Sequence, residues 1–206
     1  RLSVFNQIRE YKKRYNPLRS LIIKRYLKKY IDKIFTVSDA LKNILTLNGI
    51  SNLEVVRNGI DINVSEFDQK AVTAFKKRNN LEDKKIILFS GRISEEKGIF
   101  QIIQALDLVL REIPNALLLV AGSGARLDNV NLPIRSLGWL GHEEMKIAYS
   151  ACDVLVVPSL IFDSFPTVIL EAMAAKKPVV GTCFGGTPEI IIDGETGYII
   201  NPYDIK

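Results

Sequence analysis

Two carboxylates, Asp163 and Glu171, stand with seven residues between them in the stretch from Pro158 to Glu189. Asp163 falls in a predicted loop and Glu171 in the first turns of a predicted helix. An apolar strand precedes them, and a second strand leads to Gly185-Gly186. An open α/β sheet presents acids in this way at the carboxyl ends of its strands, where ligands bind. An ionised carboxylate only accepts hydrogen bonds, so Glu171 suits the two donors of a cis-diol such as ribose. The plainer alternative is a helix-surface acid favoured by the amino-terminal dipole. Asp163 stands before Phe165-Pro166, and Pro166 suits a first helical position. The N–H groups of Phe165, Thr167 and Val168 then face the same pocket, where with Asp163 they would hold a sugar hydroxyl or a phosphate oxygen. Asp163 alone reads equally as a loop acid or an N-cap.

Cations occupy another predicted loop, Gly91-Arg92 followed by Lys97-Gly98. Gly91 permits a sharp turn, and a long helix begins just beyond. A helix amino terminus favours an anion, and two cations reinforce it. Arg grips two oxygens at once and Lys acts as a point charge, so a diphosphate is the natural guest. The alternative is that both cations pair with Glu95 and Glu96 on the surface. No Gly-x-x-x-x-Gly-Lys-Ser/Thr run is present, so this is not a P-loop. Gly122-Ser123-Gly124 supplies half of a dinucleotide fingerprint without the third glycine. It reads as a close approach of nucleotide to backbone at Gly122 and Gly124, or as a tight strand-to-helix turn.

His142 is the only histidine and reads as a helix-start residue. With no ligand-spaced partner it argues against a catalytic metal, and no Ser-His-acid set exists without it. Trp139 would line a base pocket or, more simply, fill the core. Met145 and Met173 read as core filler.

These residues need a scaffold. Short apolar runs at 35–37, 53–56, 86–89, 117–120, 134–137, 154–157, 179–181 and 198–200 alternate with helical patterns. The helices are predicted at 18–33, 40–47, 68–78, from Gly98 through Leu110, at 143–151, at 167–175, and briefly from Gly185 to Ile192. Ser38 is a predicted N-cap. Alternating strands and helices predict an α/β fold, a Rossmann-like parallel sheet with helices on both faces. Residues 1–60 read as the tail of one lobe and 61–206 as a nearly complete second lobe.

Composition is that of an ordinary globular protein, with 47% apolar and 25% charged residues. No apolar run approaches a membrane span, and Arg1 begins in mid-pattern, as a fragment would. Cys152 and Cys183 alone make neither a disulfide nor a metal framework, which suits a reducing cytoplasm. Of the net charge of +5, residues 9–33 carry ten Lys or Arg against Glu10 and Asp32. That segment is therefore +8 and the remainder −3. Such a stripe suits an anionic membrane surface as well as it suits a solvated helix face, and nucleic acid is the poorer match.

Together these motifs resemble the family-four retaining glycosyltransferases, whose fold is the two-lobed GT-B architecture. The resemblance runs from about Phe35 to Tyr203. It is carried by Gly91-Arg92…Lys97-Gly98, Val120 to Gly124, Leu140 to Glu144, Asp153 to Ser159, and Asp163…Glu171-Ala172-Met173-Ala174. Thr36 to Ser38 and Val56 to Asp61 resemble the crossing between the lobes. The resemblance implies a nucleotide diphosphate sugar as donor, a sugar, glycan or lipid-linked acceptor, and no metal or other cofactor. It implies that Arg92 and Lys97 hold the diphosphate, Glu171 the ribose and Asp163 the sugar. Further donor contacts would come from Gly91, Gly122, Gly124, Leu140, Phe165, Pro166, Thr167 and Val168. Relatives carry Glu where Asp163 stands, so the reach here is one methylene shorter. Most of the family's acceptor lobe is missing, so a fragment that binds donor but transfers little is expected. The location expected is cytoplasmic, peripheral at the inner membrane face. Two other readings stay open: a non-catalytic nucleotide-sugar-binding or interaction lobe, and a sugar epimerase on the same fold, which a single histidine suits poorly.

Overall fold

The structure is a computed structural model that describes residues 17–61, 69–127 and 130–204. Its main body is a wholly parallel six-stranded sheet. The strands are β3 (Lys85–Ser90), β4 (Ala116–Ala121), β5 (Ile134–Gly138), β6 (Val154–Val157), β7 (Val179–Thr182) and β8 (Gly197–Ile200). Their spatial order is β5-β4-β3-β6-β7-β8. The order reverses between β3 and β6, whose register pairs Ile87 with Val154 and Leu88 with Leu155. A doubly wound sheet leaves a crevice at the carboxyl ends of such a strand pair.

The strands are continuous apolar runs because both faces are covered. Side chains alternate between faces, so Leu88 and Leu119 enter one core while Phe89, Leu118 and Val120 enter the other. The first core is closed by α3 (Gln69–Arg78), α5 (His142–Ala151) and α6 (Thr167–Ala174) through Val72, Phe75, Ala148, Tyr149, Ile169 and Ala172. The second is closed by α4 (Ile99–Glu112) through Ile99, Ile102 and Leu106. Met145 and Met173 pack on the margin of the first core, as expected of core filler.

The amino-terminal part is thinner. Helix α1 (Pro17–Tyr30) leads to β1 (Ile34–Thr36), α2 (Asp39–Leu47) and β2 (Leu53–Val55), with the two strands paired in parallel. Ser38 caps α2 as predicted: its Oγ accepts from the Leu41 N–H at 3.1 Å. Among the described residues α2 buries none of its own, and α1 leaves Leu18, Leu21, Ile22 and Tyr26 exposed. The expected helix over 18–33 stops at Tyr30. Residues 9–16 of the basic segment and position 68, the expected start of α3, lie outside the described residues.

Four local expectations are corrected. Trp139 is 78% exposed rather than core, because Gly138, at φ 70°, ends β5 and turns the chain outward. Among the described residues no helix lies between Gly122-Ser123-Gly124 and β5, so the strand-to-helix turn is not formed. The helix expected from Gly185 to Ile192 is a single 3-10 turn, Thr187–Glu189. Pro166 is the N-cap of α6, extended at ψ 102°, and Thr167 takes the first helical position.

Candidate functional site

The crevice between β3 and β6 holds a cleft of about 250 Å³. Gly91, Lys97, Asp163, Phe165, Pro166, Thr167 and Val168 line it, joined by Phe89, Ser90, Val157, Pro158 and Ser159. Seven sequence-predicted residues from two distant segments therefore meet at one mouth.

The loops that bring them there are held by backbone. Gly91 N–H donates to the Ala121 carbonyl at 2.9 Å, Ile93 N–H to Ser123 at 2.8 Å, and Ala125 N–H to Ile93 at 2.9 Å. These bonds lock the Gly91 loop to the Gly122–Gly124 loop. On the other side, Leu160 N–H donates to the Glu96 carbonyl at 2.9 Å. Gly98, at φ 75°, lies so near β6 that a Cβ there would stand 1.9 Å from the Pro158 carbonyl oxygen. The turn carrying Lys97 thus sits directly on the exit of β6. The Asp163 carbonyl in turn accepts from Gly186 N–H at 2.8 Å.

Within the cleft, Lys97 Nζ lies 2.5 Å from Asp163 Oδ2, with the two side chains 27% and 20% exposed. This settles the alternative partners for Lys97, because its ion pair is with Asp163 and not with Glu95 or Glu96. The amino end of α6 opens on the same space. Thr167 and Val168 are its first residues, and their N–H groups have no turn of helix before them. Glu171 lies four residues past Thr167 and three past Val168, on the same side of α6.

The other predicted residues surround rather than line the cleft. Arg92 follows Gly91 with its side chain exposed, and it makes no ion pair among the described residues. Gly122 and Gly124 support the Gly91 loop from β4. Leu140 packs its side chain against the first core. His142 opens α5 as expected, after Gly141 as N-cap. Among the described residues no three His, Cys, Asp or Glu side chains gather as a metal site would need.

Two features escaped the sequence. Ser159 is 1% exposed with an unpartnered hydroxyl beside the cleft. Tyr149 is 2% exposed, and its hydroxyl faces Ser90 and Glu171. The only signal for Tyr149 was a tyrosine where a phenylalanine would satisfy an apolar face, since a buried tyrosine normally requires a polar partner.

A network joins the amino-terminal part to the sheet. Glu189 accepts from the Asp39 and Ala40 N–H groups at 2.9 and 2.7 Å, and from Arg57 Nη2 at 3.0 Å. Arg57 also donates to Asp39. Burial raises the Glu189 pKa, but the two N–H groups and Arg57 outweigh it and hold the acid below its ordinary value.

Comparison with known proteins bears on the family and the fold. The family model for glycosyl transferases group 1 matches residues 72–206. An uncharacterized glycosyltransferase of Methanocaldococcus jannaschii is 35% identical over 95% of this chain and 51% of its own length. Glycogen synthase of Mycobacterium tuberculosis is 31% identical over 89% of this chain and 45% of its own. The chain thus spans about half the length of the curated relatives it matches. The crystal structure of Anabaena HepE in complex with UDP-glucose superposes with a TM-score of 0.82 at 19% identity, covering 94% of this chain and 56% of that one.

Proposed function

The chain belongs to the group 1 glycosyl transferases, and from that membership we propose that it carries the donor lobe of a retaining, metal-independent sugar transferase. The donor is a nucleoside diphosphate sugar, and the acceptor a sugar, glycan or lipid. Residues 61–206 form the donor lobe in this reading, and 1–60 the end of the acceptor lobe. The observation that carries the reading is the meeting of Lys97, Asp163 and the open amino end of α6 in the crevice between β3 and β6.

In this mechanism Lys97 and Arg92 take the diphosphate, with the Thr167 and Val168 N–H groups supplying further donors. As the bond from the anomeric carbon to the phosphate oxygen breaks, charge grows on the leaving diphosphate. Fixed cations stabilise that charge without reorganising. Glu171 accepts from the ribose hydroxyls and Asp163 from a hydroxyl of the sugar. The fold shared with HepE, solved with UDP-glucose, supports a nucleotide sugar as the guest. The basic segment 9–33 is assigned to an anionic membrane face on the cytoplasmic side, supported by its charge and by the exposed apolar residues of α1.

Calorimetric titration with UDP- and GDP-sugars tests the reading. One of them is expected to bind the wild type and to bind Glu171→Ala more weakly, with little transfer by the 206-residue chain alone. If no nucleotide sugar binds, or if Glu171→Ala binds like the wild type, the reading is wrong.

A further inference from the structure

Tyr149 is a polar side chain in an apolar place. It lies on α5 in the core cluster with Leu88, Val157, Ile169 and Ala172. A phenylalanine would fill that volume without bringing in a polar atom. The hydroxyl faces Ser90, the last residue of β3, and Glu171 on α6. It is buried, yet among the described residues it meets no partner in hydrogen-bond geometry. An unpaired buried O–H is costly, so its partner is to be sought in another state of the site. Burial above all, and the nearby Glu171 carboxylate, push the phenol far above its ordinary pKa against the opposing effect of Ser90. At neutral pH the phenol is protonated and its O–H can donate.

Glu171 has two neighbourhoods. Thr167 and Val168, one turn before it on α6, line the cleft; the Tyr149 hydroxyl on α5 is also close to it. We propose that Tyr149 is the positioning residue for Glu171: its O–H donates to one carboxylate oxygen and leaves the other turned to the diol of a bound nucleotide. The bond forms as the ligand arrives, so it fixes the carboxylate in the bound state and pairs there the hydroxyl that is unpaired in the free site. Ser90 adds a second hydroxyl at the same junction, on a strand end that lines the cleft. The inference rests on the reading of Glu171 as the ribose ligand.

The test uses the full chain and four proteins: wild type, Tyr149→Phe, Glu171→Ala and the double variant. Each is titrated with UDP and GDP and with their 2′,3′-dideoxy forms. The wild type is expected to prefer the ribose form of one nucleotide. Tyr149→Phe should melt at or slightly above the wild-type temperature, because it removes an unpaired polar atom. It should also cut the ribose preference by about 3- to 10-fold, the net scale of one typical hydrogen bond. Glu171→Ala should abolish the preference, and the double variant should be no worse than Glu171→Ala. If Tyr149→Phe keeps the full preference while Glu171→Ala loses it, the positioning role falls and the reading of Glu171 stands. If Tyr149→Phe fails to fold, the hydroxyl is structural and the inference is overturned. If Glu171→Ala keeps the preference, or neither nucleotide binds the wild type, the reading of Glu171 fails and takes this inference with it.

Discussion

Lys97 and Asp163 face each other across the cleft at 2.5 Å, though they stand 66 positions apart in the chain. The pair ties the loop after β3 to the loop before α6. It also sets a competition, because the ammonium that would meet a phosphate is already neutralised by the acid that would meet a sugar. Partial burial sharpens this competition, since water screens the pair less than it would screen a surface pair.

Breaking the pair from the acid side should therefore help a bare nucleoside diphosphate. Asp163→Asn is expected to bind it about 3- to 10-fold tighter by calorimetry, while Lys97→Ala loses at least about 10-fold, the scale of a charge-assisted contact. Weaker diphosphate binding by Asp163→Asn would show that the acid orients the lysine and does not compete for it.

The Lys97 turn should also be intolerant of side chains at its glycine. A Cβ on Gly98 would meet the Pro158 carbonyl at 1.9 Å, at a φ of 75°. Gly98→Ala is expected to cost roughly 2 kcal/mol or more. Gly59, with nothing within 4 Å of its added Cβ, is the control, and Gly59→Ala should stay within about 0.5 kcal/mol. Equal melting temperatures for the two variants would mean that the close approach to β6 is not maintained in solution.

Glu189 should make stability pH-dependent in one direction. Its folded pKa lies below the ordinary 4.5, although burial alone would raise it. A depressed acid contributes fully above its unfolded pKa, and the contribution is lost as pH falls through the folded value. Glu189→Gln should therefore unfold more easily than the wild type at pH 7, by about 1–3 kcal/mol. The gap should narrow once the pH drops below the unfolded pKa. Urea denaturation at several pH values measures this, and a gap that persists unchanged into strong acid would remove Glu189 as its source.

Trp139 is the only tryptophan, and at 78% exposure it is a surface residue. Trp139→Ala should shift stability by no more than about 0.5 kcal/mol, where loss of a core tryptophan would cost about 3–5 kcal/mol. The emission of the wild type should be that of a hydrated indole. A blue-shifted spectrum with a large loss of stability would return Trp139 to the core.

The sheet was legible because its signal is local. Runs such as 86–89 and 154–157 are apolar throughout, and a strand covered on both faces requires that composition wherever it lies in the chain. Ser38 as a cap and Lys97 at the start of a long helix were legible for the same reason, since each feature is decided within a turn or two. The phosphate-suited loop and the amino end of α6 each stand out as separate motifs in the amino-acid order alone.

What joins them does not. Lys97 has Glu95 and Glu96 beside it in the chain, and only the order β5-β4-β3-β6-β7-β8 brings Asp163 nearer. Tyr149 lies within a predicted helix, and nothing in that pattern points to the strand end and the helix that meet its hydroxyl. Trp139 reads as a core residue or a base-pocket lining, and with a left-handed glycine before it the ring is exposed to solvent. Sequence pattern reports how each segment meets water, which is a property of the segment. Which side chains meet one another is settled by strand order and crossover, and these depend on the whole chain packing at once.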